Sequence, residues 1–459
     1  MSRSPQLFPM KLFSTSLIVF AIIRFSDQLP IREAPAEIDE SGEQEIVYVL
    51  LSGILISLLA FLLWKLYKLK KFKQTGYGPT IDNTESQLVE NNHWSTNNNS
   101  NEEDNEADIF ENGIYKGNNA NLPENLQIDG DQLTIREMII KQLFSKTQKG
   151  QLDVLHSQNS GNGAEKYLVS IKSALNGKDK IQQRMIYDEL LALASLNLHP
   201  CVMALVGYVF EPEKLSLIFE YAQYGDLRSY LKFRRDAFQN HLIGDMYVFN
   251  NEESIQLNDS VNSICTLDLL SFAFQIAYGM EHLSEERYVH RHLCLQSVFV
   301  CNNKTIRIGD FGLARKSRKN DYYRVKSTTL PMNSMCMAPE NYADRKFTEK
   351  SDVRSFAVCL YELFTLGETP YEEMTAVQFL EDKDRTLSRP EFCHLDIYQL
   401  MVSCWNFEPD NRPTFGQCVD EIERHFKQHD IQIRDEISSN LRAAASHQRR
   451  LRSQISMEQ

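Results

Sequence analysis

The chain has 459 residues, nine cysteines and a formal charge of −13, from 49 Lys and Arg against 62 Asp and Glu. That acidity argues against a nucleic-acid partner, because neutralising phosphates takes a basic face; the length allows one two-lobed domain of about 290 residues with flanking segments. All cysteines lie at or after Cys201 with no C-x-x-C pair, a pattern of small core thiols in a reduced compartment rather than of a disulfide framework.

At the N-terminus, Arg3 and Lys11 lead into the short apolar run from Leu12 to Ile23. This layout predicts a signal peptide over residues 1–26. An uncleaved anchor is the alternative, because no small-x-small site follows and Arg24 interrupts. The uncharged stretch from Ile46 to Trp64 would cover about 28 Å as a helix, enough to cross a bilayer. Glu37, Asp39, Glu40, Glu43 and Glu45 precede it, and Lys65, Lys68, Lys70, Lys71 and Lys73 follow. The lysine excess places the following side in the cytoplasm. A single-pass type I protein of the plasma membrane results, with residues 27–45 as a short extracellular segment. Residues 65–131 begin basic and become acidic and Asn-rich, without hydrophobic periodicity. They read as a disordered juxtamembrane linker. Its Tyr77 and Tyr115 are candidate sites for phosphotyrosine-binding adaptors.

From about Gln132 short apolar runs alternate with turns, and after Asp226 the period lengthens to that of amphipathic helices. An α+β architecture is expected, with a strand-rich lobe preceding a helical one. The polar stretch 237–265 lacks periodicity and is predicted to be a loop. In the final segment Arg434, Arg442, Arg449, Arg450 and Arg452 alternate with Leu and Ile. Either a helix with a solvated basic face or a contact for acidic lipid fits that pattern.

Within this region stand several short motifs: Tyr167-Leu168-Val169-Ser170-Ile171-Lys172, Asp188-Glu189-Leu190-Leu191, Leu217-Ile218-Phe219-Glu220-Tyr221-Ala222, and His290-Arg291-His292-Leu293-Cys294-Leu295-Gln296-Ser297. Asp310-Phe311-Gly312, Asp321-Tyr322-Tyr323-Arg324, Ala338-Pro339-Glu340 and Asn411-Arg412-Pro413 follow. The succession resembles the protein tyrosine kinases over roughly Gln132 to Lys427. Stretches 224–231 and 266–283 resemble the platelet-derived and fibroblast growth factor receptor classes, whose kinase domain is split by an insert, here 237–265. The resemblance implies the two-lobed protein kinase fold over residues 132–427, a β-rich N-lobe and a helical C-lobe, with one transmembrane helix before it and a tail, 428–459, after it.

The same resemblance implies roles residue by residue. Lys172 would grip the α- and β-phosphates of ATP, with Glu189 as its paired carboxylate. Gly150 would be the surviving third glycine of the phosphate-covering loop, placed at Ser145–Leu152. Backbone groups of Glu220 and Ala222 would meet the adenine, Asp310 would hold magnesium, and Tyr322 and Tyr323 would be the autophosphorylated pair, with Arg291 as a partner for their phosphate. Asp352 would fix the catalytic loop, and Arg412 would pair with Glu340.

Two positions depart from the family. His292 stands where the catalytic Asp belongs, and Ser297 where the metal-binding Asn belongs. A neutral imidazole can accept a proton, yet it brings no negative charge to orient the nucleophile or support the metal. A positioned base is typically worth about 10²- to 10⁴-fold in rate. ATP and magnesium remain possible ligands, with weak or absent binding as the alternative, since only Gly150 of the loop glycines survives and Ser297 weakens the second metal site. Three readings follow: a pseudokinase that docks a partner receptor kinase or a second copy of itself, a tyrosine kinase of low efficiency, and a membrane adaptor working through linker phosphotyrosines.

Overall fold

The computed structural model describes residues 122–456 apart from 143, 155–164, 212–213, 249–262, 318–322, 325–335 and 371–386. The signal peptide, the span at 46–64, most of the linker and Tyr322 thus lie outside the described residues. No helix among the described residues is long and apolar enough to cross a membrane.

The N-lobe is an antiparallel five-stranded sheet in the order β1-β2-β3-β5-β4, made of β1 (Leu133–Lys141), β2 (Ser145–Val154), β3 (Glu165–Ala174), β4 (Leu205–Glu211) and β5 (Lys214–Glu220). Val169 and Ile171 of β3 point to the same face, two residues apart as a strand requires, and bury with Leu152, Val206 and Ile218. Helix α1 (Lys180–Ser195) crosses this lobe. Asp179 caps it, accepting from the N–H groups of Ile181 and Gln182 at 2.9 and 3.2 Å. Ile186, Leu190 and Leu193 form its buried stripe, at helical spacing.

The C-lobe comprises α2 (Leu227–Arg234), α3 (Thr266–Glu285), α4 (Pro339–Ala343), α5 (Glu349–Phe364), α6 (Leu395–Cys404), α7 (Phe415–Gln428) and α8 (Arg434–Ser456). Helix α3 is apolar nearly all round and runs through the centre, packed on α5 and α7. All nine cysteines are buried and none forms a disulfide, as expected for core thiols.

The insert is not simply a loop. Its described part folds onto the C-lobe as β6 (Phe238–Gln239), the hairpin of β7 (Leu242–Ile243) and β8 (Met246–Tyr247), and β9 (Ile264–Cys265), which pairs with β6 in parallel. Gly244 has φ +61° at the first position of the two-residue hairpin turn, a conformation that suits glycine there. The absence of periodicity misled here, because strands of two residues are too short to show one.

The domain edges also move outward. Leu126 and Ile128, assigned to the linker, are buried in the core, and the Ile128 N–H donates to the Tyr208 carbonyl at 2.8 Å. The C-terminal segment is a helix whose Arg442, Arg449 and Arg450 are exposed, as a solvated basic face requires. Its opposite face is no free tail: Ile437 and Leu441 join the C-lobe core, while Leu451 packs in the N-lobe with Val206 and Val209. Helix α8 therefore straps the two lobes together.

Candidate active site

The loop segments hang on three short strand pairings and one backbone hydrogen bond. β10 (Tyr288–Val289) pairs with β13 (Arg315–Lys316), β11 (Val298–Val300) with β12 (Ile306–Ile308), and β14 (Tyr323–Arg324) with β15 (Lys346–Phe347), while the Met203 N–H donates to the Ile308 carbonyl at 2.8 Å. These pairings set the His290–Ser297 loop beside Asp310 and below the N-lobe sheet.

Lys172, on β3, reaches the Glu189 carboxylate expected of it and also Asp310, a contact the sequence did not indicate. Its Nζ lies 2.8 Å from Glu189 Oε2 on α1 and 2.7 Å from Asp310 Oδ1. Burial works against the ammonium, but Asp310 and Glu189 outweigh it and hold Lys172 charged well above an ordinary lysine. Burial likewise opposes the Asp310 carboxylate, yet Lys172 keeps it below the usual range. Glu189 Oε1 also accepts the Phe311 N–H at 3.2 Å, so α1 and the Asp-Phe-Gly turn are joined directly. A second tie went unnoticed in the sequence: Asp188 accepts from Arg315 at 2.5 Å.

The catalytic loop is locked from beneath. The backbone N–H groups of His290 and Arg291 donate to the two oxygens of Asp352 at 2.6 and 2.9 Å. Arg291 holds φ +67°, a strained value for a side chain with a Cβ, sustained by this grip. Burial pushes the Asp352 carboxyl up to about 7, with the two N–H donors pulling the other way. The Arg291 guanidinium lies over the Phe347 ring at 4.7 Å, and Phe347 is the residue whose backbone faces that of Tyr323. Arg412 grips Glu340 through both guanidinium nitrogens, at 2.7 and 2.9 Å, a buried bidentate pair.

At the reacting end the picture changes. Burial lowers the His292 imidazole, against the attraction of Asp310, which favours the neutral ring. Its backbone N–H donates to His290 Nδ1 at 3.3 Å. The Ser297 hydroxyl donates to the Cys294 carbonyl at 2.8 Å and accepts the Cys294 N–H at 3.1 Å. It closes its own turn, and the side chain is fully buried. Asp310 is engaged at both oxygens: Lys172 meets Oδ1 at 2.7 Å and Gln142 Nε2 donates to Oδ2 at 3.1 Å.

Gln142 also corrects the phosphate loop. The turn between β1 and β2 lies at residues 142–144, three positions ahead of the stretch chosen from sequence, and it contains no glycine. Gly150 sits in mid-strand, opposite Ile135 and Val169. A Cβ there would lie 2.4 Å from Ile171 Cδ1, so this glycine serves close sheet packing rather than phosphate approach. A lone glycine drew the motif; the pairing register, invisible in sequence, decides it.

Glu220 ends β5, and its buried side chain turns away from any adenine. Oε1 accepts from Arg307 Nε at 2.9 Å, from the Ala204 N–H at 3.3 Å and from Gln448 Nε2 of α8 at 2.6 Å. The Ala222 carbonyl accepts the Gly225 N–H at 3.3 Å.

A profile of the protein tyrosine and serine/threonine kinase family matches residues 133–422. The chain belongs to this kinase family. Among its relatives, the receptor-like tyrosine-protein kinase kin-15 of Caenorhabditis elegans is 34% identical over 353 residues, covering 72% of each chain. The tyrosine-protein kinase receptor old-1 of the same organism is 37% identical over 317 residues, 66% of this chain and 61% of the relative. Fibroblast growth factor receptor 1 of Pleurodeles waltl is 31% identical over 307 residues, 66% of this chain and 36% of its own length. The expected likeness to receptor tyrosine kinases, fibroblast growth factor receptors included, is borne out. This kinase-family chain spans less than two thirds of the last two relatives, and the match to each is confined to part of it.

Proposed function

We propose that this chain is a receptor-like pseudokinase, a single-span protein of the plasma membrane whose cytoplasmic kinase fold acts as a signalling scaffold or as the allosteric partner of a receptor kinase or of a second copy. The supporting observation is the reacting end of the cleft: a neutral imidazole at the base position, a serine hydroxyl committed to its own turn, and Gln142 on the remaining free oxygen of Asp310. The donor set fits one magnesium at most, through Asp310. It does not suit the second, because the Ser297 hydroxyl oxygen already accepts the Cys294 N–H and the hydroxyl is held to the Cys294 carbonyl. ATP, when bound, would supply a γ-phosphoryl group, with Lys172 at its phosphates and the backbone of Glu220 and Ala222 at its base. His292 can accept a hydroxyl proton but cannot attract the nucleophile electrostatically or share in binding metal. Tyr322 and Tyr323 would be substrates of a partner kinase, and phosphotyrosine-binding adaptors would read them.

The assembled Lys172–Glu189–Asp310 triad favours a second reading, a tyrosine kinase of low efficiency. Labelled ATP and magnesium offered to the full-length protein separate the two. The pseudokinase reading expects incorporation equal to that of a Lys172→Met variant; incorporation that disappears in that variant overturns it in favour of the second.

A further inference from the structure

Far from the cleft, on the C-lobe, four side chains converge that no part of the kinase reading uses. His394 caps α6 and Asp396 lies in its first turn, while His425 and His429 stand one turn apart at the end of α7. One nitrogen from each ring and one carboxylate oxygen all lie within 4.8 Å of one another. Asp396 Oδ2 is 3.5 Å from His394 Nδ1, 3.3 Å from His425 Nδ1 and 3.1 Å from His429 Nε2. Ligands held at zinc's usual radius of about 2.0–2.1 Å in a tetrahedron stand about 3.3 Å apart, so the three measured edges match.

The surroundings fit as well. His394 Nε2 faces the Asp245 carbonyl at 3.0 Å, which fixes the proton on Nε2 and leaves Nδ1 with a lone pair. That lone pair accepts the Asp396 N–H at 3.1 Å, a cap bond that ligation at Nδ1 would replace, and it also faces the lone pairs of Asp396 Oδ2. Two acceptors set against each other repel, and a cation between them reverses the sign. His425 Nε2 meets the Tyr247 hydroxyl at 2.7 Å, leaving Nδ1 turned inward. Metal-binding imidazoles are ordinarily oriented through their other nitrogen in this way. Both orienting groups, the Asp245 carbonyl and the Tyr247 hydroxyl, come from the β7–β8 hairpin of the insert. Tyr247 also stacks on His394 with ring centroids 5.5 Å apart, and Asp245 Oδ1 accepts the Leu395 N–H at 3.0 Å. The carboxyl-terminal end of α7 adds the negative end of a helix dipole.

We propose that His394, Asp396, His425 and His429 bind one zinc ion that joins α6 to α7, with the insert hairpin orienting two of its ligands. Three imidazoles and one carboxylate favour zinc over magnesium or calcium. Four protein ligands make a closed, structural site, and the side chain of Asp396, 42% exposed, marks the way in.

The test uses full-length protein stripped with a chelator and titrated with zinc against a chromophoric competitor, followed by dialysis and elemental analysis. One zinc per chain is expected, with a Kd tighter than about 0.1 µM. Cobalt in its place should give the intense visible bands of a tetrahedral ion. His429→Ala, at a half-exposed helix end that tolerates truncation, should weaken binding by roughly 100-fold or more. Tyr247→Phe should keep the stoichiometry and weaken affinity about tenfold. Failure of the unaltered protein to retain zinc overturns the proposal without any variant, as does zinc retained undiminished by His429→Ala.

Discussion

Two stretches lining one cleft have fared differently. On the side of β3 and α1, Lys172, Glu189 and Asp310 form a closed ion network with every partner in reach. On the side of the catalytic loop, His290 and Arg291 are clamped by Asp352, yet His292 and Ser297 have lost the groups that perform the reaction. The difference teaches that the loop's shape does not depend on its reactive side chains. Backbone N–H groups on a remote buried carboxylate hold it, so positions 292 and 297 can change while the fold stays. A buried unpaired partner is costly, typically several kcal/mol, whereas a base facing a cleft stabilises little.

That contrast can be broken by restoring the chemistry. His292→Asp combined with Ser297→Asn should raise phosphotransfer by about 10²- to 10⁴-fold over the starting level, the usual worth of a positioned base, with non-additive single changes. Rates with labelled ATP and a tyrosine peptide decide it; no gain in the double variant means that the Gln142 contact is the actual barrier. On the scaffold side, Arg412→Ala leaves the Glu340 carboxylate buried without its bidentate partner. Stability should fall by about 3–5 kcal/mol, read as a lower denaturation midpoint, and an effect below about 1 kcal/mol would refute the claim that the scaffold pairs hold the fold. The smallest effect is expected at the lobe strap. Gln448→Ala removes the donor to Glu220 and to the Val202 carbonyl, and leaves Glu220 its bonds to Arg307 and Ala204. A loss of about 1–2 kcal/mol is expected, with faster hydrogen exchange in β5 while α3 is unchanged; equal acceleration in both places it in global stability instead.

Much of the candidate site was legible because its parts are short motifs with fixed spacing. Lys172 and Glu189 pair, Asp352 holds the loop backbone, and Glu340 and Arg412 meet, each as the motifs imply. The phosphate loop was misplaced because a strand pairing, not a glycine count, sets where β1 turns into β2. The long-range contacts of Gln142, Asp188 and Gln448 gave no signal: Asp310, Arg315 and Glu220 lie more than a hundred residues away from them, and nothing local marks such a contact. The histidine cluster was equally silent, because its H-x-D and H-x-x-x-H pieces lie on two helices brought together only by packing.

The sequence alone determined that a two-lobed kinase-family domain is present and that its base position carries an imidazole, since both are properties of contiguous residues and their spacing. Tertiary structure decided the rest: that the C-terminal helix straps both lobes, that the insert docks on the C-lobe, that a glutamine sits on Asp310, and that three histidines surround one carboxylate. Those facts depend on distances through space between segments far apart in the chain, and such distances are fixed only once the hydrophobic faces have chosen their neighbours.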